Sequence, residues 1–397
     1  MTAPAAAESQ RKVPRDGTAG GCPVEVDADG VWHVRGFTAA RSVLRSTATR
    51  QGGFGVDEAR QLIRRMRPPV LYRDGTEHRE HRRQTARFFT PKRVDEKYRE
   101  PMHRFADEQI AKLRRLGRAD LSKLSFTLAV AVAGEVIGLT PGRTGMDGRL
   151  ERFFAPQPPA RRLLSRDGLR RLWNTNRNLG GFYFRDVRPA IRARRRERQD
   201  DLISHLIDEG CNNAEILGEC VTFGAAGMIT TREFITLSAW HLFTDDNLRT
   251  AYTTGDEAAR VAVLHEILRL EPVVANLARW ATGDIELPGP DGPVTIPADA
   301  RVDIAIGDAN LDGTAVGPQP GRVCPGRPLS DGVTDAVLSF GDGPHRCPGA
   351  YIAIQETEIF LTKLFAQPGL RMVQEPHAGI RPEIASYELV GLIVAVD

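Results

Sequence analysis

One ten-residue stretch constrains this chain more than any other: Phe340-Gly341-Asp342-Gly343-Pro344-His345-Arg346-Cys347-Pro348-Gly349. Glycine takes positive φ at little steric cost, so this spacing predicts a tight loop with one cysteine at its end. An amphipathic run, Ala350 to Glu356, follows at once, and Pro348 suits the first turn of a helix there. Backbone N–H groups at a helix start would face the sulfur and favour its anionic form. The expected product is a thiolate fixed in place, suited to ligating a metal. The plain alternative, a surface cysteine in a chance glycine loop, leaves the neighbouring motifs without a purpose.

The rest of the composition narrows the class. Of 397 residues, 41% are hydrophobic and 26% charged, which is ordinary for a globular chain able to bury a planar cofactor. A formal net charge of +3 does not point to nucleic-acid binding. The five cysteines, Cys22, Cys211, Cys220, Cys324 and Cys347, are odd in number and show no CxxC spacing, which fits a reduced cytoplasmic protein. The first residues lack a charged region followed by an apolar core, and no apolar run is long enough to span a bilayer. Residues 1–21, rich in Ala, Gly and polar side chains, read as a flexible tail, and 22–397 as one domain.

Periodicity places the elements. Val31–Val34 reads as a strand and Ala39–Leu44 as a short helix. Helices are expected at His78–Phe89, Met102–Leu113, Leu124–Ala133, Arg185–Ile207, Ala214–Phe243 and Ala258–Leu270. Short strands and turns are expected between Ala281 and Ile306. Asn310–Ser330 is Gly/Pro-rich and irregular. One more helix follows Cys347, then a strand pair at Arg371–Val373 and Leu389–Val396. The whole is mainly α, with small β-sheets on one side.

Three further constellations join the cysteine loop. Glu266 and Arg269 lie three apart on one helix face. In the middle of the Ala214–Phe243 helix, Ala225-Ala226-Gly227 precedes Ile229 and Thr230; glycine in a helix interior costs about 0.5–1 kcal/mol, which asks for a reason. Close packing is one reason. Room for a flat ring and a small gas is another. His78 and Arg82, four apart, form a cationic face after Asp74-Gly75.

With these on the page, the chain resembles the cytochrome P450 family, whose loop Phe-Gly-x-Gly-x-His-x-Cys-x-Gly it matches at every defined position. The absence of a signal or anchor segment points within that family to the soluble bacterial type. The resemblance runs from about Val31 to the C-terminus and is loosest at 148–190 and 313–338. It implies a single helical haem domain binding haem b, with Cys347 as axial thiolate, Phe340 and Gly349 shaping its loop, and His78, Arg82, Arg279 and His345 holding the propionates. It implies that Ala226, Gly227 and Thr230 form the oxygen-activating stretch; the family's acid is replaced by Ile229. Glu233, one turn on, reads as a solvated helix residue. Glu266 and Arg269 match the family's structural ion pair, with Arg322 as the expected third partner. Substrate-facing positions would be Ala225, Val274, Asn276, Leu389 and the segment Gln51–Leu71. The arginines at 60, 64, 65 and 67 read as a solvated face.

The implied activity is a monooxygenase that inserts one atom of O2 into a small organic substrate, in secondary metabolism. NAD(P)H-derived electrons would come through a separate ferredoxin or flavodoxin and its reductase, since no flavin or nicotinamide motif occurs. Arg79, Arg83 and Arg346 would form the donor's docking face. Two other readings stay open here: a haem-thiolate oxidase that couples or cyclises its substrate without oxygen insertion, and a non-catalytic haem protein that binds a ligand. No membrane or nucleic-acid partner is expected.

Overall fold

Alternating residues of Val31–Val34 and Arg301–Ala305 pair as parallel strands, and around that pair the strand-rich side of the molecule is built. We analysed a computed structural model, which describes residues 10–13, 22–56, 67–139, 145–154, 166–289, 292–381 and 384–397. Strands β1 (Val24–Val26), β2 (Val31–Val34), β3 (Thr49–Gln51), β5 (Asn276–Ala281) and β8 (Arg301–Ala305) form one sheet in the order β1-β2-β8-β5-β3. The registers Gln51↔Arg279 and Arg279↔Val302 hold Arg279 between β3 and β8. The other strands make small sheets: β4 (Arg118–Asp120), β12 (Ile393–Ala395) and β9 (Arg371–Gln374) in one, and two hairpins, β6 (Ile285–Gly289) with β7 (Gly292–Ile296) and β10 (His377–Arg381) with β11 (Ser386–Val390).

The helices carry most of the core. They are α1 (Phe37–Arg45), α2 (Gly75–Thr85), α3 (Arg99–Leu116), α4 (Leu121–Ile137), α5 (Met146–Phe154), α6 (Arg166–Phe182), α7 (Arg188–Arg196), α8 (Leu202–Asp208), α9 (Asn213–Gly224), α10 (Thr230–Thr244), α11 (Asp246–Thr254), α12 (Glu257–Leu270) and α13 (Ala350–Phe365). The largest core cluster gathers α3, α4, α10, α12 and α13 around residues such as Tyr98, Leu128, Leu237, Ile267 and Phe360. No helix among the described residues is long and apolar enough to cross a membrane.

Three π-helical turns occur among the described residues, of which Val94–Tyr98 leads into α3 and two lie within longer helices. Tyr183–Val187 joins α6 to α7, and Ala225–Ile229 joins α9 to α10. The expected helix from Ala214 to Phe243 is therefore present but carries its defect at the Ala225–Ile229 stretch. A π turn holds one extra residue and opens the local hydrogen-bond ladder, a form that recurs at functional sites. The basic helix expected to run to Ile207 ends instead at Arg196. Asp201 caps a new helix by accepting from the Ser204 N–H, and so splits α7 from α8.

Within the expected tail, Gln10–Val13 departs from the prediction. Arg11 donates to the carbonyls of Leu270 and Gly307, and the Lys12 and Val13 N–H groups both donate to Glu271 Oε1 at 2.8 Å. A buried carboxylate needs such donors, and this one holds the strap in place. Residues 1–9 and 14–21 lie outside the described residues.

Candidate active site

Cys347 sits at the mouth of a loop braced from both sides. Its N–H donates to Phe340 O at 2.8 Å, which closes the loop; Gly341 and Gly343 take φ of 68° and 65°. Gly343 could be no other residue: a Cβ there would lie 2.4 Å from the Leu44 carbonyl oxygen at the end of α1. The same helix grips the next position, for Arg41 and Arg45 pair with Asp342 at 3.2 and 2.8 Å. Pro348 lies just before the helix rather than in its first turn. Gly349 occupies the cap position and α13 begins at Ala350. The Cys347 thiol is exposed. The surrounding protein raises its pKa, while the Gly349 N–H, Arg82 and Arg346 work the other way by favouring the thiolate. All five cysteines are free.

Beside this loop the predicted cationic residues come together. His78 stacks on His345 with ring centroids 4.0 Å apart. His345 Nε2 lies 3.1 Å from Asp74 Oδ1. Arg82 donates to the Arg346 carbonyl. Arg279 is only 3% exposed, and burial pulls its pKa down to about 10, with Asp74 the carboxylate that opposes the shift. Burial, reinforced by His345 and Arg82, pushes His78 down to about 3. His345 is lowered by burial as well, against the pull of Asp74. Arg279, His78 and His345 thus converge around the Asp74 carboxylate, with Arg82 beside them turned to the cysteine loop. Buried cations short of counter-charge are costly, so the cluster is suited to a ligand that brings carboxylates of its own. A thiol open on one side, with two guanidinium groups and two imidazoles beside it, fits a haem, whose iron takes a thiolate and whose propionates take charge-assisted hydrogen bonds.

Behind the loop lies a buried ionic network. Arg269, 0% exposed, donates twice to Glu266 at 2.7 and 2.8 Å. The third partner is Arg327, whose Nε is 3.0 Å from Glu266 Oε1. This corrects the assignment of Arg322, which is exposed and offers the pair only its carbonyl oxygen, to Arg269 and Arg327. The sequence holds Pro-Gly-Arg twice, at 320–322 and 325–327, and no local signal separates them. What decides is that the Cys324 N–H also donates to Glu266 Oε1, bringing the second arginine onto the carboxylate. Asn310, which sequence reasoning missed, joins this network to the cysteine loop. Its amide donates to Arg269 O and Ser339 Oγ, and its Oδ1 accepts from Leu338 N–H.

On the α9–α10 helix, Thr230 Oγ1 donates to the Ala226 carbonyl within the π turn. Ala226 is exposed, whereas Met228 and Ile229 are buried. A Cβ at Gly227 would meet nothing closer than the Ala133 Cβ at 3.7 Å, so helix packing does not demand glycine there. Glu233 corrects the expectation of a solvated residue. It is 0% exposed, pairs with Arg232 and accepts from the Leu389 N–H at 2.8 Å. Burial raises its pKa despite these partners.

The expected substrate positions divide. Ala225 and Val274 are half-buried, and Val274 bridges to Ser386. Asn276 is half-buried and spends its amide on Asp303 at 2.6 Å. Leu389 is a correction: it is 0% exposed in the main core cluster, because its backbone is drawn in by Glu233. Of the Gln51–Leu71 segment, residues 57–66, with Arg60, Arg64 and Arg65, lie outside the described residues. Arg67 is exposed, and its N–H donates to Glu215.

Comparison with known proteins bears on this geometry. The family model described as Cytochrome P450 matches residues 261–374. The chain is 30% identical over 383 residues to the erythromycin C-12 hydroxylase of Saccharopolyspora erythraea, covering 90% of this chain and 87% of that one. It is 29% identical over 357 residues to the pentalenic acid synthase of Streptomyces avermitilis, covering 87% and 83%. Among solved structures, substrate-free CYP109E1 from Bacillus megaterium superposes with a TM-score of 0.77 at 22% identity, over 96% of both chains. The fold, the matched loop and the extent of the likeness to these hydroxylases agree: the chain belongs to the cytochrome P450 family of haem-thiolate oxidoreductases and is a monooxygenase of that family.

Proposed function

We propose that this enzyme inserts one oxygen atom from O2 into a small organic substrate of secondary metabolism, in the cytoplasm, and that Cys347 would hold the iron of haem b. NAD(P)H-derived electrons reach it through a ferredoxin or flavodoxin and its reductase. The observation that carries this reading is the meeting of a free, exposed Cys347 with the charge-poor cluster of His78, Arg82, Arg279 and His345. The likeness to the erythromycin C-12 hydroxylase and the pentalenic acid synthase supports the substrate class.

The roles divide by element. His78, Arg82, Arg279 and His345 would hold the propionates of a bound haem. The Gly349 N–H and Arg82 favour the thiolate form of Cys347 against the burial that raises its pKa, so that the metal itself would complete its ionisation. Glu266, Arg269, Arg327 and Asn310 are positioning residues that keep the loop at its distance. Bound haem supplies the reduction of O2 and the transfer of one oxygen. Thr230 keeps its own hydroxyl proton directed at the Ala226 carbonyl, which leaves its oxygen lone pairs to orient a proton donor in the groove. Ile229 cannot relay a proton, and Glu233 is committed to Arg232 and Leu389. Protons then come from ordered water or from the substrate's own polar groups. Arg79 and Arg346, both exposed near the cysteine loop, steer an acidic electron donor; Arg83 adds less, being paired with Glu80 at 2.8 Å.

The apolar Ile229 also favours a second reading, coupling or cyclisation without oxygen insertion. Product mass separates the two, since insertion adds one oxygen and coupling adds none. The ligand assignment is tested by Cys347→His. The reduced CO complex of the wild type is expected to absorb as a thiolate haem and that of the variant as an imidazole haem. An unchanged spectrum would refute the assignment.

A further inference from the structure

Between Arg166 and Arg198 the chain holds eleven arginines, three acidic residues and no lysine. Since the whole chain carries only +3, the remainder is net negative. The positive charge is therefore local to α6, the π turn and α7. The inner side of this unit is fully committed: Phe182, Val187, Ala190 and Ile191 are 0–1% exposed and pack in one cluster with Cys220 and Met228 of the α9–α10 helix. The outer side is unusual. Trp173 and Phe184, each 61% exposed, are the only exposed aromatic hydrophobics among the described residues, and Leu169 beside them is 52% exposed. Arg177 lies over the Trp173 ring at 4.7 Å and Arg188 over the Phe184 ring at 5.6 Å.

These residues form one stripe. A repeat of four drifts roughly 40° per step around an α-helix. The extra residue in the Tyr183–Val187 π turn sets the register back, so that Leu169, Trp173 and Arg177 before it share a face with Phe184, Arg188 and Arg192 around and after it. Along the axis Trp173 and Phe184 stand about 16 Å apart, the length of three turns. Tryptophan and arginine are the residues that most often dominate protein interfaces. Arginine stacked on an aromatic ring is ordered in advance and presents its donors in a fixed fork for carboxylates.

We infer that the outer face of α6–α7 docks a partner protein through an acidic helix of that partner, on the side of the molecule that carries Ala226–Thr230. A second copy of this chain is a poor occupant, because a two-fold contact would set arginine against arginine. A bilayer is also a poor occupant. Helices that lie in a membrane surface bury a continuous apolar face, whereas here the apolar face is already spent on the core and, among the described side chains, only Leu169, Trp173 and Phe184 are exposed apolar groups on this unit. A single helix of limited length, with apolar residues flanked by carboxylates, matches both the spacing and the charge.

The test uses the haem-loaded enzyme and fluorescence anisotropy of a fluorescein-labelled helical peptide with leucines four apart, edged by glutamates. The peptide is expected to bind wild type at low salt and to be weakened by added salt. Trp173→Ala with Phe184→Ala, and separately Arg177→Glu with Arg192→Glu, are expected to weaken it about tenfold or more while leaving the CO spectrum unchanged. The same peptide with lysines for glutamates should not bind, and phosphatidylglycerol vesicles should not sediment the enzyme. Failure of the glutamate peptide to bind, equal binding by the variants, or vesicle sedimentation that the variants abolish would each overturn the proposal. The last result would make the face a membrane surface instead.

Discussion

The two sides of the candidate site are held by opposite means. Behind Cys347 the protein uses buried charge: Glu266, Arg269 and Arg327 share hydrogen bonds, and Asn310 carries their order into the loop. On the other side no acid or base lies within Ala225–Thr230, and shape is set by small side chains and a π turn. A ligand atom must be held at one distance through many turnovers, and a buried network whose loss is expensive does that. A gas and a substrate must enter and leave, and a side wall of alanine and glycine with a local backbone defect leaves them room. The difference teaches that rigidity and access are separate requirements, met here on separate elements.

Breaking the network is expected to produce the largest effect. Arg269→Leu leaves Glu266 buried without its main partner, which should cost about 3–5 kcal/mol. The variant should lose the thiolate form of the CO complex before other spectral signs of folding. Arg327→Ala should be destabilising in the same direction, whereas Arg322→Ala, an exposed side chain without a role, should change stability by at most about 0.5 kcal/mol. Urea unfolding of the three variants makes the comparison; equal losses at 322 and 327 would break it.

The opposite side should respond in chemistry rather than stability. Thr230→Ala is expected to fold and bind haem normally but to lose more reducing equivalents as peroxide, because a placed proton-transfer group is typically worth about 10²–10⁴-fold in rate. Ile229→Glu should improve coupling if the new carboxyl ionises. Product formed per NADPH consumed is the measurement. An unchanged ratio in Thr230→Ala would favour substrate-assisted protonation or chemistry without oxygen insertion.

The smallest expected effect is a slope with pH. Burial raises the Glu356 carboxyl, on the helix after the cysteine, to about 8, and its Oε1 has no partner among the described residues. On the far side, Glu219 is raised to about 7 by burial, against the Val70 N–H and Arg73. In both, the folded state holds the proton more tightly than the unfolded chain. Their stabilising contribution is full below the ordinary value of 4.5 and is lost as pH rises through about 7 for Glu219 and about 8 for Glu356. Glutamine at either position should flatten that part of the melting-temperature profile, and the Glu356 variant should act to the higher pH. A profile unmoved by Glu356→Gln would place its proton elsewhere.

What the sequence made legible followed from local chemistry. The glycine spacing at 341 and 343 and the periodicity of α12 each depend on residues within a turn or two, and each is found where expected, whereas the helix expected to run unbroken through Gly227 carries a π turn there. What it hid depends on contacts across the fold. Arg327 and Arg322 differ only in which one the Cys324 N–H brings onto Glu266. Glu233 has the composition of a solvated position but is buried by β11, and Leu389 is drawn into the core by the same hydrogen bond. Asp74 lies beside a plausible turn glycine, yet it also accepts the Gln51 N–H and faces His345, 271 positions away.

The bracing of Gly343 against Leu44 has a consequence for how the enzyme is made. The thiolate loop takes its shape from α1, an element translated hundreds of codons earlier: Arg45 and Asp342 are 297 positions apart, and Arg82 and Arg346 are 264. Closing so long a stretch of chain carries an entropic cost that local contacts cannot offset. During synthesis the cofactor pocket therefore cannot form until the loop at 340–349 has followed α1 and α2 out of the ribosome, and a fragment lacking that loop keeps its α1 brace facing nothing.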